Sequence, residues 1–142
     1  MITVYRVQDK DGRGPWKPGF SHRWVEDRDD HDVLIPWYQE FGRVERLAIA
    51  GMHLGCGCRT IEQLRRWFTL KEYKKLVEFG YRAVSMGCGR ALGESDIQVV
   101  FERSRPLREA VTPISLYPAV IGPEDAAWWQ SIRSGRDPEA VV

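Results

Sequence analysis

Two capping boxes set nine residues apart constrain this chain more than any other feature of its 142 residues. Thr60 is followed three residues on by Gln63, and Thr69 by Glu72. In such a box a hydroxyl takes up an orphan N–H of the first helical turn, and the Gln or Glu side chain returns to the capping residue. Ile61, Leu64, Trp67 and Phe68 recur at helical spacing after the first box, and Leu70, Tyr73, Leu76 and Val77 after the second. Gly80 supplies a C-terminal stop. The pattern predicts two short helices joined at a corner, with Trp67 and Phe68 largely buried.

Strand signals lie on both sides of this corner. Ile2–Gln8 reads as a strand with Ile2, Val4 and Arg6 on one face and Thr3, Tyr5 and Val7 on the other; Asp9-Lys10-Asp11-Gly12 ends it. Met52–Cys58 is apolar and glycine-rich, a strand whose backbone packs closely against something. Tyr81–Met86 and Ile97–Phe101 read as two more, the latter apolar enough to be central. Between them, Gly87–Glu94 carries three glycines and reads as a loop. Gly12–Phe20 is neither helix nor strand, and Ile35–Phe41 is a short helix with Pro36 in its first turn. Pro123, followed by Glu124 and Asp125, opens a last helix to about Arg133, and 134–142 reads as a loose tail. The order predicts an α+β fold in one globular domain over residues 1–133: a mostly antiparallel twisted sheet with short flanking helices.

Composition narrows the function classes. Hydrophobic residues at 43% and charged residues at 29% predict a folded, soluble domain. A net charge of +1 gives no electrostatic case for nucleic acid as the main partner. No apolar run approaches the ~18 residues of a membrane span, and Met1–Lys10 lacks the architecture of a signal peptide, so the expected location is cytoplasmic. Three cysteines, Cys56, Cys58 and Cys88, are too few for a disulfide framework. They read as buried thiols, and no metal is expected; the alternative is zinc, with His22, His31 or His53 as further ligands. Glu26–Asp32 holds five carboxylates and reads as a solvated loop, or else as a metal site or a surface imitating a nucleic-acid backbone.

Several side chains stand out as candidates for a site. Arg6 in an apolar strand is either a guanidinium fork for phosphate or ribose, or one half of an ion pair at a sheet edge. Gly12-Arg13-Gly14-Pro15-Trp16 is either a turn or a nest for an anion, with Arg13 adding charge. His22, between Phe20 and Trp24, is either a group that stacks on or protonates a substrate or a half-buried structural histidine. Trp128 and Trp129 cannot share one helix face, which leaves one for a binding surface or a homodimer contact.

Three stretches together carry a resemblance. They are Tyr5-Arg6-Val7 followed by Asp11-Gly12-Arg13-Gly14-Pro15-Trp16; Cys58-Arg59-Thr60-Ile61-Glu62-Gln63-Leu64 ending in Trp67-Phe68; and Gly80-Tyr81-Arg82-Ala83-Val84 leading to Gln98-Val99-Val100-Phe101. From Ile2 to about Leu107 the chain resembles a group of small proteins of bacteriophages and prophages. That group in turn resembles, distantly, the ADP-ribosyltransferase fold. The resemblance implies NAD as cofactor, held by Arg6 on the first strand and by Thr60 after a middle strand; Arg13 and His22, singled out from their own surroundings, are the further expected contacts. It places Gln98 where such enzymes carry a catalytic Glu. A neutral amide cannot supply the charge that stabilises an oxocarbenium-like transition state, so Asp96, or Glu94 beside it, is the carboxylate expected to substitute. Gln98→Glu is then expected to raise any NAD cleavage. The implied function is an ADP-ribosyltransferase-like phage or mobile-element protein that binds NAD or a related nucleotide, degenerate in catalysis, with Arg6, Thr60 and Gln98 in one cleft. Two alternatives stand beside it: a non-catalytic phage inhibitor of a host defence protein, favoured by the acidic run and by Gln98, and an assembly factor of a mobile element.

Overall fold

A computed structural model of the chain describes residues 1–26, 34–118 and 120. Its strands are β1 (Ile2–Gln8), β2 (His53–Gly57), β3 (Arg82–Cys88), β4 (Arg90–Glu94), β5 (Val99–Arg103) and β6 (Val111–Pro113); its helices are α1 (Trp37–Phe41), α2 (Ile61–Trp67) and α3 (Leu70–Glu78). The strands form two three-stranded sheets, ordered β1-β3-β6 and β2-β5-β4, in which every pairing is antiparallel. The fold is α+β, as expected, but the single sheet is split in two. One isolated bridge, Tyr5 to Cys58, joins the edge strands β1 and β2.

Alternation on β1 sorts the core into two layers. Val4 points to the side where Val84, Met86, Val99 and Phe101 meet, so the sheets face each other across that cluster. Val7 points to the other side and joins Ala83, Leu64, Phe68, Tyr73 and Leu76 beneath the two central helices. Both predicted caps are present: Thr60 accepts from Gln63 N–H and Thr69 from Glu72 N–H, each box closed in return by the Gln or Glu side chain. Phe68 is buried as predicted. Trp67 is only half-buried, because its indole N–H reaches out to Ile97 O at 2.9 Å.

The segment 87–94 corrects the sequence reading. It is not a loop: β3 runs on to Cys88, and 90–94 form the edge strand β4. Its Gly93 marks a close approach instead of a turn. A Cβ on Gly93 would lie 2.9 Å from the Phe41 ring, and the β4–β5 register slips between Ala91 and Gly93. The expected loop at 12–20 and the short helix after Pro36 are present, and β5 is central in its sheet. Glu26, which opens the acidic run, pairs with Lys75 Nζ at 2.7 Å. The rest of that run, the helix expected at 123–133 with Trp128 and Trp129, and the boundary with the 134–142 tail lie outside the described residues. Among the described residues no helix is long and apolar enough to cross a membrane.

Candidate functional site

β1 and β2 begin to pair and then part. Tyr5 N–H donates to Cys58 O and Cys58 N–H to Tyr5 O, both at 2.8 Å. A continued antiparallel ladder would next pair Val7 with Cys56. Instead the Cys56 carbonyl accepts from Arg6 Nη1 at 3.0 Å. Alternation fixes what is left over. Gly55 and Gly57 turn their backbone toward β5, so the N–H groups of Leu54 and Cys56 and the carbonyl of Leu54 face the split. On β1 the even residues serve β3, so the N–H and C=O of Val7 face it as well. None of these backbone groups bonds another described residue.

Arg6 occupies the split. It shares the inner face of β1 with Val4 and is only 7% exposed. Its Nη2 donates to Gly12 O at 3.1 Å. The glycines of β2 make room for it: a Cβ on Gly55 would sit 3.0 Å from Arg6 Nη1, and one on Gly57 3.3 Å from Arg6 Cβ. The guanidinium has five N–H groups, and two carbonyls use only part of them. Arg6 Nε has no partner, and no carboxylate of the described residues forms an ion pair with it. The sheet-edge ion pair that the sequence allowed is therefore not formed. Burial pulls the Arg6 pKa down, with Cys56 and Asp9 opposing that shift. A buried cation without a counter-charge is costly, and an anion beside it removes that cost.

A cavity of about 730 Å³ opens onto this cation. Its walls include Val7, Leu54, Cys56, Trp16, Trp37 and Trp67. The 12–16 turn that forms one wall is held in place: Asp9 Oδ1 accepts from the N–H groups of Asp11 and Arg13, and Trp24 Nε1 donates to Pro15 O at 3.2 Å. Gly12 has φ +84°, and a Cβ there would meet Arg108 N at 2.8 Å, so only glycine makes this turn. Trp16 stands half exposed, its ring 4.6 Å from Trp24 and 6.2 Å from Trp67, centroid to centroid. Arg13 and Lys17, both exposed, add positive charge at the rim.

Gln98 lies one residue before β5, is buried, and lines the same cavity. It shares the face of Val100 and not that of Val99 and Phe101, so Arg6 and Gln98 reach the cavity from different walls. The Gln98 Nε2 donates to Ile35 O at 2.8 Å and to Glu40 Oε1 at 3.0 Å. Two acceptors on one end identify that end as the nitrogen and leave Oε1 as an acceptor only.

The other expected site residues divide. Arg13 is at the rim. Thr60 is exposed and outside the cavity, because its hydroxyl is committed to Gln63 N–H. Asp96 is exposed and also outside; its carbonyl accepts from Gln63 Nε2 at 2.9 Å. His22 is exposed on a single 3₁₀ turn, Ser21–Arg23, and is not the half-buried residue its aromatic neighbours suggested. Trp24 turns into the core and Phe20 stacks on Tyr81, which leaves His22 on the outside. The three cysteines are free thiols. Burial raises the Cys56 pKa and pushes Cys58 to about 12 and Cys88 to about 11, so none is an activated nucleophile. Among the described residues no group of three or more His, Cys, Asp or Glu could hold a metal ion.

Sequence reasoning missed Glu40, the Val7 backbone and the aromatic wall Trp37, although it had singled out Trp16 in the glycine turn; a five-residue helix has too few turns to mark Glu40 or Trp37. The family model described as bacteriophage T4 Y00F protein matches residues 1–115. No curated protein and no solved structure matches the chain.

Proposed function

The chain belongs to the bacteriophage T4 Y00F protein family, and from that premise we propose that it binds NAD or a related nucleotide in the cavity between β1 and β2. The observation that carries this reading is Arg6, a buried guanidinium without a carboxylate at the floor of a cavity with aromatic walls. A phosphate or ribose oxygen supplies the missing acceptor, Trp16 and Trp67 offer faces for a flat ring, and Arg13 and Lys17 hold a second phosphate. The unpaired N–H and C=O of Val7 form the donor–acceptor pair that a primary carboxamide needs, as on nicotinamide. The ADP-ribosyltransferase-like part of the reading draws support from chain order: Arg6 is on the first strand, Thr60 follows the second, and Gln98 precedes the fifth. Thr60 drops out as a ligand contact, and Gln98 acts as a neutral acceptor for a ribose hydroxyl.

Isothermal titration with NAD, ADP-ribose and nicotinamide mononucleotide tests the reading. Saturable binding is expected, weakened at least ~10-fold by Arg6→Lys, which keeps the charge and loses the fork. No binding of any of the three at millimolar concentration removes the reading. The second reading, an inhibitor that docks on a host protein, rests on the exposed side chains Tyr38, Leu47 and Ile49, each 58–59% accessible. Leu47→Asp and Ile49→Asp leave the NAD titration unchanged if that surface is separate from the cavity.

A further inference from the structure

The backbone groups left open at the split form a pattern that fits one kind of guest. β1 offers the N–H and C=O of Val7; β2 offers the N–H and C=O of Leu54 and the N–H of Cys56. A strand laid between them, its alternate residues facing alternate walls, uses every one of these groups. Running antiparallel to β1, one of its residues exchanges both bonds with Val7. It then runs parallel to β2, where a neighbouring residue donates to Leu54 C=O and accepts from Cys56 N–H, and the residue two before that one accepts from Leu54 N–H. The reverse direction fails at the inner end. It needs the carbonyls of Tyr5 and Cys56, which already accept from Cys58 N–H and Arg6 Nη1. β1 runs away from the Tyr5–Cys58 bridge and β2 runs toward it, so the fitting strand points its C-terminal end at the bridge. Arg6 sits there, 7% exposed, lining the cavity, its Nε without a partner.

We propose that the split binds the extended C-terminal end of a protein chain, its last residues paired as a strand between β1 and β2 and its terminal carboxylate on the Arg6 guanidinium. The carboxylate supplies the counter-charge that a buried cation needs. Backbone pairing gives affinity without choosing a sequence, and the walls make the choice. Near the bridge Cys58 packs with Leu64 and Phe68, and all three line the cavity, so the last side chain is apolar. Arg13 and Lys17, exposed at the rim, favour acidic residues further upstream. This inference does not depend on the nucleotide reading. It uses the Leu54 and Cys56 backbone, which that reading leaves open, and the two ligands exclude each other.

The test uses the full-length protein and two pools of hexapeptides, mixed at the first four positions and carrying Val, Leu, Ile or Phe at the last two. One pool ends in a free carboxylate and the other in an amide. Retention on immobilised protein is read by mass spectrometry, and the most enriched free-acid peptide is then titrated. The free-acid pool is expected to be enriched over the amidated pool. Amidation of the chosen peptide, or its extension by Gly-Ser-Gly, is expected to weaken binding at least ~10-fold. Methylating its backbone nitrogens one at a time is expected to cost at least ~10-fold at two neighbouring residues, the donors to the Val7 and Leu54 carbonyls. These changes all lie in the peptide and leave the protein's folding untouched. Arg6→Lys, its fold checked by thermal melt, is expected to bind at least ~10-fold more weakly. The inference is overturned if neither pool is retained, if the amidated pool is retained as well as the free acid, if no methylation weakens binding, or if Arg6→Lys binds like wild type. Peptide binding without NAD binding supports it and ends the nucleotide reading.

Discussion

The corner of α2 and α3 and the split between β1 and β2 are built from opposite principles. At the corner every local demand is closed. Both caps are satisfied, Thr69 N–H is returned to Glu72, and Tyr73 Oη accepts from Ala83 N–H at 2.9 Å. At the split the N–H and C=O of Val7 and Leu54 and the N–H of Cys56 are left open among the described residues, and a guanidinium is buried with no ion pair to any of them. The corner is completed by the chain itself; the split keeps open donors and acceptors among the described residues. Stability and binding should therefore separate between the two regions.

The largest expected effect breaks the corner. Leu76→Ala empties a site that is 0% exposed and outside the cavity lining, and should cost about 2–5 kcal/mol in urea unfolding. Arg6→Ala strips the donors from the Cys56 and Gly12 carbonyls, a loss of about 1–3 kcal/mol, and unlike Leu76→Ala it should abolish NAD binding at temperatures where the protein stays folded. Equal loss of binding in both variants would show that the two regions are not separable. Thr69→Ala removes one cap and should cost about 1 kcal/mol by the same unfolding measurement, with the NAD titration unchanged.

The smallest effect is read with pH. The N–H of Ile49 holds the Glu102 carboxyl below its ordinary value of 4.5, and Arg90 adds to this against the cost of burial. A depressed carboxyl pKa contributes stability that is complete above the ordinary value and is lost as pH falls through the depressed one. Melting temperature should therefore drop on acidification below about pH 4.5, and Glu102→Gln should flatten that drop. An unchanged acid limb in the variant would mean that Glu102 does not tie the 44–49 turn to β5.

Legibility in the sequence followed the same division. The corner could be read because a capping box places partner and target three residues apart. β1 and β5 could be read from alternation and a continuous apolar run, and Arg6 stood out as a charge among apolar neighbours. β4 could not, because a glycine that admits Phe41, as Gly93 does, looks the same in sequence as one that makes a loop. Thr60 was placed in the cleft by the resemblance alone, whereas its capping box, also legible in the sequence, commits the hydroxyl to Gln63. Glu40 was invisible because its partner Gln98 lies 58 residues away on another element. The open backbone at Val7 was invisible because it depends on where two strands stop pairing, which no residue type encodes.

That stopping point also sets a clock. Tyr5 and Cys58 close the seam between the sheets with two short hydrogen bonds, while the amides of Val7 and Cys56, two residues along, close none. Neighbouring amides on the same strands should then exchange with solvent deuterium at different rates: slowly at Tyr5 and Cys58, and faster at Val7 and Cys56. A ligand seated in the split would slow the second pair and leave the first as it was, so the seam would report occupancy through time as well as through affinity.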